Sequence, residues 1–475
     1  MLYLRKKGLV VKEMLKRKYG LITTTMIAIS ATLGSSILIS FGQVAFYAKF
    51  NPILMLLAWA LGGLLIIPSL LIFAETTVSY PENGTTYNWL KKAHYKAFAF
   101  WFGWILVLIV SATAIASVTI ACSQLIAAFF NITNSWIIKA IGIGLMLVIA
   151  LFHIFLKQLV IISQTIFTFL KFLPIIFIIV IAIIYGSFNN FKNQGTNLTE
   201  TYLASYLLLP AIAMTMFAYS GIEAVTYIAG EVKEPKQNII RAKILATVVV
   251  ILVYLILALS FIIINVNHGL EWNAPTFWQD ALKNLKLPSG LILTFNIFVV
   301  IIFFGSLNTF FLYHSRMVHK LAEGNDLSPI FAKIRKSNES PYMAIILLIV
   351  LAAIYILWDQ LYGIITYFVI ATTILQFISI IVAWQLRHKR KDYQKIFSDF
   401  IFGLIFIAVL IADALLLAGA IISVYLSVIA NNDWWILWKC LIVCGVLLAG
   451  YPIYYLRTFW QWLRSDKPKN KKEQV

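Results

Sequence analysis

Two clusters of small and hydroxyl-bearing residues lie within long apolar runs, where they could free backbone groups to bind a ligand. The first covers residues 30–36 (SATLGSS) and the second covers residues 217–223 (FAYSGIE). Where a membrane helix is interrupted, its unpaired amides can hold an anion and its unpaired carbonyls can hold a cation. Small residues also occur where membrane helices simply pack closely. Either cluster taken alone fits both explanations.

Two ionisable residues, Lys171 and Glu223, also lie within apolar runs. An unpaired charge is costly inside a membrane, so such a residue indicates a functional site by default. A structural explanation stays open for each of them. Lys171 could extend its ammonium toward the membrane surface, and Glu223 could accept hydrogen bonds from backbone freed beside it. The spacing of the histidines and cysteines predicts neither a metal site nor a cofactor.

The composition predicts a chain that crosses a membrane many times. Of its 475 residues, 61% are hydrophobic and 12% are charged, whereas an ordinary soluble domain has about 25% charged residues. Several uncharged runs exceed the roughly 20 residues that a spanning helix needs, and they are too long for the strands of an outer-membrane barrel. We therefore expect an all-α polytopic membrane protein, not a cytosolic enzyme. The twelve predicted transmembrane helices are 21–47, 52–75, 97–130, 136–155, 159–186, 202–230, 240–265, 290–318, 341–358, 361–386, 398–427 and 434–458.

The positions of Lys and Arg predict the orientation of these spans, because cytoplasmic loops carry an excess of both. If the amino-terminal segment is cytoplasmic, only six of the 38 Lys and Arg residues fall in the opposite loops: Lys49, Lys139, Lys192, Lys283, Lys286 and Lys439. We expect a multi-pass protein of the cell membrane with both termini in the cytoplasm. The net charge of +19 then reflects topology and contact with anionic lipids, and it does not indicate nucleic-acid binding.

The spans divide into two halves of five, and each half opens on one of the small-residue clusters. The predicted segments are a basic amino-terminal segment 1–20, the halves 21–186 and 202–386, two peripheral helices in 398–458, and a basic tail 459–475. Because five is odd, the second half would be inverted in the membrane relative to the first. Interrupted helices in corresponding positions of two halves are the best sequence indication of a transporter site. Together, the two clusters therefore favour a substrate site.

Four groups of residues resemble amino acid permeases of the amino acid–polyamine–organocation (APC) superfamily. These groups are 28–37; Ala74–Glu75 with Tyr80, Pro81, Gly84 and Tyr87; 217–223 with 230–236 and Arg241–Ala242; and 305–308 with Ser315–Arg316 and 327–329. The family usually has glycine where Ser30 and Ser36 stand here. The resemblance implies the fold of the sodium-coupled leucine transporters, a LeuT-like 5+5 inverted repeat in which helices 1 and 6 are broken.

The resemblance also implies an amino acid substrate, held as a zwitterion between the two broken helices. The carboxylate would bind amides at the start of a half-helix, where the helix dipole favours an anion. Those amides belong to Gly34, Ser35 and Ser36. The ammonium would bind backbone carbonyls freed at the second break, because the end of a half-helix favours a cation. The residues on that side are Phe217, Ala218, Ser220 and Gly221.

Aromatic residues match further positions of the family's substrate site. Phe217 and Phe310 stand where similar antiporters place a ring beside the substrate, although the chain has 34 phenylalanines and simple packing also explains both. Such a ring can close over the substrate or attract a cation through its face. Trp104 stands where an arginine/agmatine exchanger has a polar residue in span 3. That particular substrate is therefore not implied.

Lys171 and three residues near the predicted cytoplasmic face complete the resemblance. Sodium-independent members of the family carry a lysine in span 5 whose ammonium takes the place of a sodium ion between spans 1 and 8. Lys171 precedes Pro174 at a matching distance. The resemblance therefore implies that no sodium ion is required at that position. Glu75, Tyr87 and Glu231 are expected to make gating contacts.

The function that these observations favour is secondary active transport of amino acids by alternating access. Proton coupling or exchange would drive it, and sodium would not be needed. No segment matches the phosphate-binding motif GxxxxGK[ST], so the chain is not expected to act as a primary pump by itself. Two alternatives remain: a polytopic membrane enzyme such as a lipid-linked glycosyltransferase, and a non-transporting sensor. The sequence leaves open which amino acid is carried and what the oligomeric state is.

Overall fold

The structure is a computed structural model that describes most of the chain. The described residues are 5–6, 9–10, 17, 19–80, 85–156, 166–167, 169–189, 208–227, 229, 232–264, 278, 282–283, 285–335, 337, 340–432 and 434–465. Their helices are α1 Leu21–Thr32, α2 Ser35–Tyr47, α3 Pro52–Ser79, α4 Thr85–Lys92, α5 Lys96–Phe129, α6 Ser135–Phe155, α7 Phe172–Tyr185, α8 Leu208–Tyr219, α9 Ala224–Tyr227, α10 Pro235–Ile263, α11 Ser289–Glu323, α12 Tyr342–Trp358, α13 Leu361–Lys389, α14 Asp399–Asn431 and α15 Trp435–Ser465. A short antiparallel pair joins Arg5–Lys6 to Leu9–Val10.

Within the described residues, eight helices are long and apolar enough to cross a membrane. Helices α1 and α2 meet the same criteria when taken together, and they bend by 50° at the break between them. Three shorter apolar helices cover Phe172–Tyr185, Leu208–Glu223 and Tyr342–Trp358. Large apolar side chains such as Leu151 and Ile411 are exposed on the outer faces of the helices. Soluble proteins rarely expose extended apolar surfaces. The prediction of an all-helical polytopic membrane protein is thus confirmed.

The predicted starts at 159 and 202 lie outside the described residues, and α15 extends to Ser465, seven residues beyond the predicted end at 458. The other ends lie within about five residues of those that hydropathy predicts, and two of the differences are informative. Helix α10 begins at Pro235, five residues before the predicted start of its span at 240. Proline suits the first turn of a helix because the amide it lacks has no partner there. The second difference is helix α4, which is the next helix after α3 and begins at Thr85. Hydropathy does not predict it because it is polar. Both differences extend the helical structure beyond the apolar runs.

The first small-residue cluster interrupts its span as predicted. Helix α1 ends at Thr32, Leu33 and Gly34 are extended, and α2 begins at Ser35. The backbone of Gly34 has φ −168°, which any residue can adopt, so glycine is not needed there for its conformation. Its small size matters instead, since a Cβ atom at this position would lie 3.1 Å from Oγ of Ser306.

The second cluster changes the type of helix and leaves no extended gap. Helix α8 ends at Tyr219, residues Ser220–Glu223 form a 3-10 turn, and α9 follows at once. A 3-10 segment within a longer helix often marks a functional hinge. The sequence predicts a break at this place, and the structure has an interruption of a milder kind.

The packing of the bundle places one helix at its centre and two at its edge. The central part of α5 is almost completely buried, whereas α14 and α15 expose most of their surface. Residues Leu106–Ser111 of α5 are π-helical, a feature that is frequent at functional sites. Helix α3 packs closely on α8 and α10, because Cβ atoms added at Gly62 and Gly63 would overlap Thr215 and Ile251. The interrupted spans are therefore held inside the bundle.

Candidate functional site

The two interrupted segments touch each other backbone to backbone. A Cβ atom added at Gly221 would lie 2.3 Å from the carbonyl oxygen of Ala31 and 2.6 Å from Cα of Thr32. Real Cβ atoms do not approach backbone atoms this closely, so only glycine fits at this contact. The two clusters, 190 residues apart in sequence (31 to 221), are therefore in direct contact.

A buried tyrosine joins the two segments from a third helix. The hydroxyl of Tyr254, on α10, is 3.0 Å from the carbonyl oxygen of Thr32 and 2.9 Å from that of Ala218. The ring of Tyr254 also packs against Tyr219 and Trp59, with ring centroids 5.0 and 5.4 Å away. One hydroxyl thus links a carbonyl at the end of α1 to a carbonyl at the end of α8. This arrangement fixes the relative position of the two interruptions.

On the proposed carboxylate side, the amides at the start of α2 have no acceptor within their own helix. The amide of Ser35 donates to Oγ of Ser306 on α11 at 3.3 Å, and the hydroxyl of Ser36 lies 3.5 Å from the carbonyl of Thr32. Ser35 is buried and Ser36 is half-buried. Gly34 also faces α11, as its contact with Ser306 shows. This helix start has the polarity that an anion requires.

On the proposed ammonium side, the hydroxyl of Ser220 donates to the carbonyl of Phe217 at 3.0 Å. The carbonyl of Ala218 accepts from Tyr254. Both carbonyls thus accept a hydrogen bond from a side-chain hydroxyl. Phe217 and Ala218 are buried, whereas Ser220 is exposed although it lies in an apolar segment. The accessible part of this side is therefore Ser220 with the half-buried Gly221 beside it.

Lys171 lies between the end of α1 and the middle of α11. Its side chain is buried, with 3% of the residue exposed, and Nζ donates to the carbonyl of Ser30 at 3.4 Å. A Cβ atom at Gly34 would lie 3.9 Å from Nζ, and one at Gly305 would lie 3.4 Å from Cε. The ammonium thus sits beside carbonyls at a helix end, which favours a cation. At 3% exposure the ammonium does not extend to the surface of the protein.

The aromatic residues of the predicted site differ in their surroundings. Phe217 is 1% exposed and packs edge-to-face on Phe368 of α13, with ring centroids 5.1 Å apart. Phe310 is half-buried, with its ring 5.7 Å from that of His314. Trp104 lies elsewhere, since its indole donates to the carbonyl of Val446 on α15 at 2.8 Å. The ring of Trp104 thus packs toward α15, which the sequence could not show because an α-helix has several faces.

Replacing Phe217 with alanine should reduce transport by about tenfold or more, because an edge-to-face pair contributes about 0.5–1.5 kcal/mol beyond the burial of its area and closure over the substrate is lost. Initial uptake rates should be measured at several substrate concentrations. Phe368→Ala is the matched control, because it removes the same ring pair from the other side. If Phe217 contacts substrate, only its own variant should raise KM. Equal KM values for the two variants would make Phe217 a packing residue.

Glu75, a predicted gating residue, lies in a buried ionic network at the end of α3. Its carboxylate forms an ion pair with Arg387 of α13 and accepts from the amides of Ile396 and Phe397 at 3.1 and 2.8 Å. Arg387 also bonds Asp399 at 2.8 Å. The network fastens the connection 390–398, between α13 and α14, to α3. Glu75 therefore holds three elements together at this end of the bundle.

Tyr87, the second gating candidate, links α4 to the end of α11. Its hydroxyl donates to Asp326, and Lys91 donates to the carbonyl of Gly324 at 2.8 Å. Burial and the neighbouring carboxylate of Asp326 raise the pKa of Tyr87, so its hydroxyl remains a donor at neutral pH. Glu231, the third candidate, lies outside the described residues. Two of the three gating candidates thus connect helix ends on one side of the molecule.

Replacing Arg387 with methionine should destabilise the protein by about 3–5 kcal/mol, because Glu75 is left as a buried charge without its cation. The apparent Tm of the purified protein in detergent measures this effect. Lys395→Met is the control: Lys395 pairs with Asp399 in the same network but is exposed, and exposed pairs contribute little. Equal Tm values for the two variants would contradict a central role for the buried pair.

Three residues of this region were not singled out by the sequence: Tyr254, Lys243 and Arg387. Tyr254 is one of 22 tyrosines in the chain, and nothing local distinguishes it. Lys243 and Arg387 lie at the edges of apolar runs, where a charge is common, yet both are buried. Lys243 donates to the hydroxyl of Thr226, three residues after the half-buried Glu223. Only the contacts between distant helices identify these residues.

Interrupted spans that meet inside a helical bundle, with the start of one half-helix beside the end of another, are typical of membrane carriers. The chain belongs to the amino acid permease family, whose sequence model matches residues 19–448. It is therefore a multi-pass amino acid transporter and not an enzyme, which rejects the glycosyltransferase alternative. The resemblance stated from its motifs is confirmed.

Relatives with known roles match nearly the whole chain. The Serine/threonine exchanger SteT of Bacillus subtilis (strain 168) is 24% identical over 447 residues, which cover 93% of this chain and 97% of the relative. The b(0,+)-type amino acid transporter 1 of Mus musculus is 22% identical over 468 residues, covering 97% and 92%. The Cystine/glutamate transporter of Homo sapiens is 25% identical over 480 residues, covering 96% and 89%.

Proposed function

We propose that this protein is a secondary active transporter that exchanges amino acids across the cell membrane by alternating access. The observation that carries the proposal is the contact of Gly221 with Ala31 and Thr32. It brings the amide start of α2 and the carbonyl end of α8 together within the membrane. A zwitterion has one charge for each of these ends. The similarity to a serine/threonine exchanger supports exchange as the mode of transport.

We also propose the full architecture that the sequence predicts. Twelve spans would result if the three shorter apolar helices cross the membrane together with the nine longer spans. Residues 21–186 and 202–386 would then form two inverted repeats of five, and the helices in 398–458 would be peripheral. Both termini would lie in the cytoplasm, with basic residues on that side in contact with anionic lipids.

Transport is proposed to be independent of sodium. Lys171 supplies a fixed positive charge between the end of α1 and Gly305 of α11, which is the place that the family resemblance gives to a sodium ion. With that site occupied by an ammonium, a second cation there would meet electrostatic repulsion. The driving force then comes from a counter-substrate, or from protons that move with the substrate. Phe310 is proposed to complete the substrate site, and the half-buried Glu223 is proposed to stabilise the interrupted segment beside it.

The test is uptake of individual labelled amino acids into proteoliposomes that contain the purified protein. Vesicles should be empty or loaded with unlabelled amino acids, each with and without sodium and with and without a pH gradient. We expect uptake that internal substrate stimulates and that sodium does not change. Uptake that needs a pH gradient and ignores internal substrate would replace exchange with proton coupling. The absence of uptake for all the amino acids tested would contradict the proposed function.

A further inference from the structure

A second buried lysine lies under the interrupted segment that follows α8. Lys243 is on α10, and 1% of the residue is exposed. Its Nζ donates to the hydroxyl of Thr226 on α9 at 2.8 Å and lies 5.9 Å from the ring centre of Phe73 on α3. Glu223 lies in the 3-10 turn directly before α9, three residues from Thr226. Three elements therefore meet at one ammonium.

The surroundings of Lys243 require an internal partner for its charge. The adjoining cleft between α3 and α10 is lined mainly by aliphatic side chains, among them Leu70, Ala74 and Ile240. A buried ammonium in such surroundings costs several kcal/mol unless an anion and hydrogen bonds compensate it. Glu223 carries the carboxylate that lies three residues before Thr226, in the 3-10 turn that leads directly into α9. The hydroxyl of Thr226 satisfies only one of the three ammonium protons.

The spacing of the two partners shows how Lys243 holds the segment. Glu223 and Thr226 are three residues apart in a helical stretch, so both side chains fall on one face. That face contacts α10 through Lys243. The same stretch begins directly after Tyr219. The residues just before it, among them Ala218, form the carbonyl side of the proposed substrate site. A shift of residues 220–227 would therefore displace those carbonyls.

We propose that Lys243 is the counter-ion of Glu223 and a positioning residue of the transport site, which holds residues 220–227 against α10. The inference rests on the proposed transport function and extends it to a residue that does not touch the substrate. The pair carries no net charge, so the segment can move within the membrane only while the two charges stay together or are both neutralised. Removing one partner leaves the other unpaired.

The test is a double-mutant cycle in proteoliposomes with Lys243→Met, Glu223→Gln and the combined variant. Each single variant should lower the Vmax of exchange by about tenfold or more, because breaking a buried pair leaves an uncompensated charge. KM should change little, since Lys243 does not contact substrate. The combined variant should recover at least about tenfold over Lys243→Met, because deletions of interacting partners are not additive. Lys243→Arg should retain more activity than Lys243→Met.

Two controls separate this inference from the transport function on which it rests. Lys236→Met removes an exposed lysine from the first turn of α10 and should leave Vmax unchanged. The same cycle, read as the apparent Tm of the purified protein, requires no transport and should again show recovery in the combined variant. Additive losses in both Tm and Vmax would overturn the pairing. Recovery in Tm without recovery in Vmax would make the pair structural and overturn its role in positioning.

Discussion

Replacing Gly221 with alanine should abolish transport, because the added Cβ would overlap the backbone of Ala31 and Thr32. The neighbouring atoms belong to the main chain and cannot turn aside as a side chain could, so the two interrupted segments must separate. Misplacement of binding groups by about 1 Å can lower activity by about a hundredfold. Substrate binding to the purified protein and uptake into proteoliposomes should both be measured.

Alanine substitutions at two other glycines, Gly34 and Gly445, should lower transport less than Gly221→Ala does. At Gly34 an added Cβ would meet two side chains, Ser306 at 3.1 Å and Lys171 at 3.9 Å, and no backbone. Gly34→Ala should therefore be milder, whereas the larger Gly34→Leu should abolish binding. Gly445, on α15, has open space around its position, so Gly445→Ala should transport normally. If folded Gly221→Ala protein transports like Gly445→Ala, the contact between the two segments is not part of the site.

Replacing Lys171 with alanine should reduce transport strongly while the protein still inserts into the membrane. The carbonyl of Ser30 and the neighbouring polar groups then lose their cation, at about 1–3 kcal/mol for each buried group left unsatisfied. Insertion depends on the hydrophobicity of the span and gains from the loss of a charge. Uptake should be compared with membrane abundance for the variant and the wild type.

The sodium dependence of uptake tests whether Lys171 replaces a sodium ion or has a purely structural role. Wild-type uptake should be the same in sodium and in a sodium-free buffer, since the ammonium occupies the proposed cation position. Lys139→Ala is the control, because Lys139 is a less buried lysine that donates to the carbonyl of Leu357 far from the site. Strict sodium dependence of the wild type, or full activity of Lys171→Ala, would refute the proposed replacement of a sodium ion.

The sequence predicted the membrane class, most helix ends and the two interruptions, because each depends on residues that are near one another in the chain. The backbone contact at Gly221 was not predicted, since the family resemblance implied only that the two broken helices hold one substrate. The position of Lys171 beside Ser30 was likewise implied by that resemblance, which places the ammonium of such a lysine between spans 1 and 8.

Contacts between helices that are distant in sequence could not be predicted. Arg387 and Glu75 are 312 residues apart, and Tyr254 is 222 residues from Thr32. Hydropathy shows how apolar a helix is but does not show which neighbour each face meets. Trp104 illustrates the same limit, since its ring packs toward α15. In a bundle where most helices are apolar on every side, periodicity carries little information about orientation.

The fastening of the 390–398 connection by Glu75 has a practical consequence for protein engineering. Backbone amides of Ile396 and Phe397 are bound there, so an epitope tag or a fusion partner inserted into this surface loop would pull apart α3, α13 and α14. The turn between α5 and α6 differs, because Phe130, Asn131 and Thr133 are exposed. Exposed turns tolerate insertions best. A label for single-molecule or cryo-microscopy work therefore belongs between Asn131 and Thr133.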